Sequence, residues 1–206
     1  MKSVFLPIAL LCLLCVASAP LRADLVTNGG FETGNFTGWT QFGDTSATGV
    51  TSDPCPSGLG PNFHCPPHTG TYAAYFGNGS PGGIEQTIVT NPADTYTVDF
   101  WVKLFGSGRG SSTPNEFEVA WGGTTLDDIV NVTNVNWEHL TFTGLAASSL
   151  STNLAFTVSD AADWIGIDDV TVTAAPSSVP EPAAISLLAI VIALAEVLRR
   201  RRALEH

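Results

Sequence analysis

The chain has 206 residues, a formal net charge of −11 and only 13% charged residues, which bounds it to one ordinary domain. The charge is uneven: between positions 24 and 178 two cations, Lys103 and Arg109, stand against sixteen carboxylates, a net −14. Such a body repels phosphate backbones and anionic lipid headgroups, which argues against nucleic acid as a partner, and Gly 20 with Pro 13 disfavours a helical bundle.

Residues 1–23 read as a secretory signal peptide: Lys2, an apolar run from Val4 to Val16, then small residues, with cleavage after Ala19 or Ala23. Leu14 ahead of Cys15 argues against lipidation there. Cys12 and Cys15 leave with this segment, and the mature chain keeps Cys55 and Cys65. In an exported protein such a pair reads as a disulfide. It would close the loop PCPSGLGPNFHCPP, a constraint worth ~3 kcal/mol in the chain-entropy picture. A metal site is the alternative, since His64 and His68 lie beside Cys65, but the spacing matches no standard zinc pattern.

Residues 24–174 form the body. Strand signals run through it with almost no helical periodicity. They lie at 72–76 and 84–89, either side of the turn-rich GNGSPGG, and at 96–105, 117–121, 140–142, 154–158 and 167–172. In 96–105 the residues Tyr96, Val98, Phe100, Val102 and Leu104 share one face, with Asp99, Trp101 and Lys103 on the other. About eight short strands of this kind predict an all-β, antiparallel jelly-roll β-sandwich.

A linker at 175–182 ends in Val179-Pro180-Glu181-Pro182, an apolar stretch at 183–198 follows, and Arg199-Arg200-Arg201-Arg202 opens a basic tail at 199–206. Sixteen helical residues reach ~24 Å against a ~30 Å hydrocarbon core. Local thinning or arginine snorkelling lets them span, and the arginines place the C-terminus in the cytoplasm as a membrane stop. This order of parts resembles the PEP-CTERM sorting tail of exported bacterial proteins. The resemblance implies an exosortase as partner, which reads Pro180, Glu181 and Pro182 in a membrane-tethered precursor, and a final location in the cell envelope or outside the cell.

Two further stretches, NGGFETGNFTGW (28–39) and IGIDDVTV (165–172), resemble the opening and closing strands of galactose-binding-like carbohydrate-binding modules. TGTYAAYFG, IEQTI and TYTVDFW stand between them in the expected order. In those modules the first and last strands lie side by side and hold a structural calcium, which implies Glu32, Asp168 and Asp169 as metal ligands here. Alternation puts Asp168 on the core face with Val170 and Val172, where a charge needs a partner, and calcium selects such hard oxygens. Backbone amides capping turn residues are the alternative.

Trp101 and Trp137, with Asp99 and His139, make a candidate carbohydrate platform, since rings stack on sugar faces while polar groups bond hydroxyls. Trp39 and Trp121 read as core. Carboxylates that could pair as in a glycosidase (Glu116, Glu118, Asp127, Asp128, Glu138) are plentiful, but nothing selects two of them. No nucleophile elbow, zinc-protease helix or phosphate loop occurs. The expectation is therefore a non-catalytic exported protein that binds carbohydrate or exopolysaccharide. A structural or adhesive matrix protein is the second reading and a glycan-active hydrolase the third.

Overall fold

The computed structural model describes residues 22–52, 66–105, 114–133, 136–160 and 163–175, together with Ile192 and Arg199. The signal peptide, Cys55, Cys65, His64, the Pro-Glu-Pro motif, the apolar stretch at 183–198 apart from Ile192, and Arg200 to Arg202 lie outside the described residues. Among those described, no helix is long and apolar enough to cross a membrane.

Ten strands are found among them: β1 (Thr40–Gly43), β2 (Thr48–Thr51), β3 (Ala73–Phe76), β4 (Gly82–Val89), β5 (Thr95–Phe105), β6 (Asn115–Trp121), β7 (Thr124–Val130), β8 (Glu138–Ala146), β9 (Ser151–Asp160) and β10 (Trp164–Ala175). They pair antiparallel into two five-stranded sheets, in the orders β1-β4-β9-β6-β7 and β2-β3-β10-β5-β8. Period-two alternation forces this arrangement. Strands β5, β6 and β9 bury every second residue, so each sheet has one apolar face, and two such faces lose water by closing on each other.

Phe100 of β5 marks the meeting plane, with its ring centroid 5.0 Å from Phe156 of β9 and 5.7 Å from Phe117 of β6. Trp39 and Trp121, 7% and 4% exposed, belong to this core as their sequence contexts predicted. Trp121 also donates its indole N–H across the sandwich to the Ala146 carbonyl at 2.8 Å, so its polar atom is not stranded.

The stretch 28–39 is a knot of local contacts at the start of the sandwich. The Asn28 side chain donates to the carbonyls of Asn35 and Thr37 and accepts from the Thr33 amide. That loop presses the wholly buried Phe31 against Phe36 and Trp39. The opening segment runs beside the last strand, as the resemblance implied: Asp24 bridges Thr173, and the Leu25 amide donates to the Val172 carbonyl at 2.8 Å.

Three strands are absent from the sequence reading: β1, β2 and β7. One alternation was also misassigned. Register pairs Asp168 with Trp101, which is the outer face of β5, and not with the core positions. A bulge between Asp168 and Thr171, with Asp169 in the left-handed region at φ 50°, resets the alternation before Val170 and Val172 turn inward. Asp168 is buried under a loop on the outside of the sandwich, not in its core.

Candidate functional site on one outer face

The outer face of the second sheet gathers most of the aromatic side chains that the core does not use. Trp101 stands at its middle, on β5, with His139 of β8 directly across in register. The two rings stack at 4.7 Å with 12° between planes. On the β10 side, His68 reaches over from the 66–72 segment and stacks on Trp101 at 3.7 Å and 17°. Trp101 is thus held between two imidazoles. Asp99 lies two residues along β5 and meets His139 Nε2 at 3.2 Å, while Thr141 donates its hydroxyl to the same carboxylate.

Three carboxylates latch the 66–72 segment. Asp168 Oδ2 accepts the amides of His68 and Thr69 at 2.8 and 3.2 Å, and its Oδ1 accepts the Asp169 amide. Asp169 bonds His68 Nδ1 at 2.6 Å and accepts the Thr69 hydroxyl. Glu32 accepts the amides of Thr71 and Tyr72. The chain turns tightly enough at Gly70 that a Cβ there would stand 2.3 Å from Glu32 Oε1. Burial, and then the neighbouring charge of Asp169, push the Asp168 carboxyl up from 3.8 to about 7. These amide bonds oppose that rise but do not outweigh it.

Glu32, Asp168 and Asp169 do converge: all three side chains come within 4.0 Å of where a Cβ of Gly30 would stand. Their oxygens face N–H and O–H donors. Among the described residues no group of three or more histidines, cysteines, aspartates or glutamates is arranged to hold a metal ion.

Trp137 precedes β8 and is half-buried. Its ring edge meets His68 at 5.8 Å and Phe105 at 5.6 Å, and its indole N–H points at the Pro66 carbonyl at 3.4 Å. The platform residues expected from sequence, Trp101, Trp137, Asp99 and His139, therefore lie on one face. Sequence reasoning missed His68, Phe105, Tyr75 and Trp164 in the same surface. Trp164 and Gly166 alternate with the buried Ile165 and Ile167, so their outward parity was legible. His68 arrives from a loop, and no periodicity announces it.

The first sheet's outer face is different. Glu118 faces Asp128 directly across β6 and β7, Glu116 lies two residues along β6, and Glu85 accepts from the Asn153 side chain at 2.8 Å. Asp127 is paired with the inward-parity Val119, off that face, and Glu138 lies on the second sheet. The carboxylates weighed for catalysis are thus divided between two sheets.

No protein-family model and no curated protein matches the chain. Among solved structures it is similar to TmCBM61, described in complex with beta-1,4-galactotriose, at TM-score 0.53 and 22% identity over 73% of this chain and 97% of that one. Weaker likenesses include the CBM22-1 xylan-binding domain from Paenibacillus barcinonensis Xyn10C (TM-score 0.47, 17% identity, 73% of this chain and 94% of that one). A Family 16 Carbohydrate Binding Module matches at TM-score 0.46 and 17% identity, over 73% of this chain and 99% of that one. The described body is a two-sheet antiparallel β-sandwich of the kind found in carbohydrate-binding modules.

Proposed function

We propose that this protein is an exported, non-catalytic carbohydrate-binding protein of the cell envelope or extracellular matrix. The observation that carries the proposal is the concentration of partly exposed rings and flanking polar groups on a single outer face. Trp101 is braced by His68 and His139, Trp137 offers its ring, and Asp99 and His139 lie within reach of sugar hydroxyls. Rings of this kind cover the apolar faces of sugars, and carboxylates and imidazoles bond the hydroxyls. The likeness in fold to TmCBM61 supports the same reading. Titration of the purified chain with soluble galactan and xylan, followed by tryptophan fluorescence, tests it. A saturable change that Trp137→Ala weakens is expected; no change with either polymer contradicts it.

The sorting tail is a second part of the proposal, supported by Pro180-Glu181-Pro182, the apolar stretch and the four arginines in order. An intact mass from cells with and without their exosortase tests it: a shorter chain only when the enzyme is present is expected, and equal masses contradict it. A disulfide between Cys55 and Cys65 is proposed from their export and even number, and a mass increase on alkylation only after reduction would verify it.

A structural calcium held by Glu32, Asp168 and Asp169 is also proposed. Its support is the convergence of three oxygen-donor side chains on Gly30 and the complete burial of Asp168. The amides and His68 that meet these oxygens offer a solution without an ion. Addition of a chelator distinguishes the two: a lower melting temperature supports calcium, and an unchanged one rules it out.

A further inference from the structure

A second line of rings crosses the same face away from Trp101. Tyr75 of β3 touches Trp164 of β10, centroids 4.9 Å apart. Trp164 pairs in register with Phe105 of β5, and Phe105 meets Trp137, one residue ahead of β8, at 5.6 Å. Four neighbouring strands thus each contribute, directly or at their margin, one ring. The rings lie close to the backbone because glycines sit beneath them. A Cβ at Gly49 would stand 2.4 Å from the Tyr75 hydroxyl, one at Gly77 2.8 Å from the Trp164 indole and one at Gly166 2.1 Å from the Phe105 ring. A side chain at any of these positions would lift the ring off the sheet.

We propose that this row, from Tyr75 through Trp164 and Phe105 to Trp137, is a track for an internal stretch of an uncharged glycan chain, laid across the strands. It rests on the carbohydrate reading above and adds a contact line that the Trp101 cluster does not supply. The geometry favours a chain over a single sugar in three ways. Trp101 has its two sides taken by His68 and His139, so no pyranose is sandwiched there. Strands lie ~4.8 Å apart, close to the length of one pyranose, so three strand intervals offer room for about three units. At the Tyr75 end the next strand presents Gly49, whose lack of a side chain leaves the row unwalled on that side.

Charge selects the chain's chemistry. Lys103, whose Nζ lies 4.9 Å from the Phe105 centroid, is the one cation beside the row among the described residues. Its own charge is disfavoured by burial, which lowers its pKa. It stands in a body of net charge −14, so a polyuronate or sulfated chain is repelled and a neutral one is not. Phe105, 3% exposed, supports the row from below while Tyr75, Trp164 and Trp137, all half-buried, form its surface.

The test is affinity electrophoresis of the full purified chain through gels containing soluble galactan, xylan or hydroxyethylcellulose, with free glucose, galactose, xylose and their β-1,4-linked hexasaccharides as competitors. The expected result is retardation by at least one polymer, relieved by a hexasaccharide and not by a monosaccharide. Tyr75→Ala and Trp164→Ala should each weaken it about tenfold, the effect of one modest contact on an affinity. Trp164→Tyr keeps a ring and should keep most of the retardation, which separates lost contact from lost fold; melting curves of all variants accompany the gels. Retardation unchanged in Tyr75→Ala and Trp164→Ala, or relieved equally by monosaccharide, overturns the track and leaves carbohydrate binding standing. Retardation of the wild type by none of the polymers overturns both.

Discussion

The two outer faces of this sandwich are built on the same alternation and carry opposite chemistry. On the first sheet Glu118 faces Asp128 with Glu116 close by, an arrangement that repels itself and keeps the face wet. On the second, Trp101, Trp137, Tyr75 and Trp164 share the surface with two histidines, each paired to an aspartate. The inward residues of both sheets are interchangeable in kind, Phe100 against Phe156 and Phe117. Fold therefore resides in the positions the two faces have in common, and specificity in the alternate positions where they differ.

Removing what the faces share should have the largest effect. Phe100→Ala opens a cavity between the sheets and is expected to lower stability by about 3–5 kcal/mol, read by chemical denaturation; a loss under 1 kcal/mol would mean that the sheets do not close on this ring.

Next comes the latch that builds the aromatic face. Asp169→Asn keeps a residue that tolerates the left-handed backbone but removes the charge facing His68. The pair is about a quarter exposed, so the expected cost is about 1 kcal/mol. The more telling readout is proton NMR: His68 ring protons, shielded in the wild type by Trp101 stacked at 3.7 Å, should move toward ordinary shifts. Unmoved signals would show that the stack holds without the aspartate.

The pH dependence is shallower and has a definite sign. Asp168 titrates near 7 in the folded protein against 3.8 as the ordinary value, so the folded state binds more protons than the unfolded state between these values. Its contribution to stability is complete below about 4, falls as pH rises through about 7 and is level beyond. Melting temperatures in chelator should carry this decline, and Asp168→Asn should flatten it. If calcium binds the ionised carboxylate, its addition at pH 8 reverses the trend.

The smallest effect belongs to the acidic face. Glu118→Gln relieves like charges directly across a strand pair and should stabilise by about 0.2–1 kcal/mol with no change in glycan binding. A loss of glycan binding would move the site to the first sheet.

Much of the sandwich is legible in the sequence because its long strands alternate cleanly, as Tyr96, Val98, Phe100, Val102 and Leu104 do. The missed strands are the ones in which burial does not alternate: β1 and β2 are four residues each, and β7 lies at an edge. Gly122 and Gly123, with φ 59° and 79°, join β6 to β7 in a two-residue hairpin, and that Gly-Gly signal could have placed β7. Trp101, Asp99 and His139 were found by parity. Asp168 was put on the wrong face because a bulge centred on a left-handed aspartate resets parity, and a string of residues does not mark it. His68 was weighed only as a neighbour of Cys65, since its role depends on where a loop folds back.

The most direct measurement of the central claim is a neutral-glycan array probed with calcium present by the wild-type chain, by Trp101→Ala/Trp137→Ala and by Glu118→Gln. The account predicts signal on extended neutral glycans for the wild type and Glu118→Gln, and its loss in the double variant. No signal for the wild type, or equal signal for all three, would contradict it.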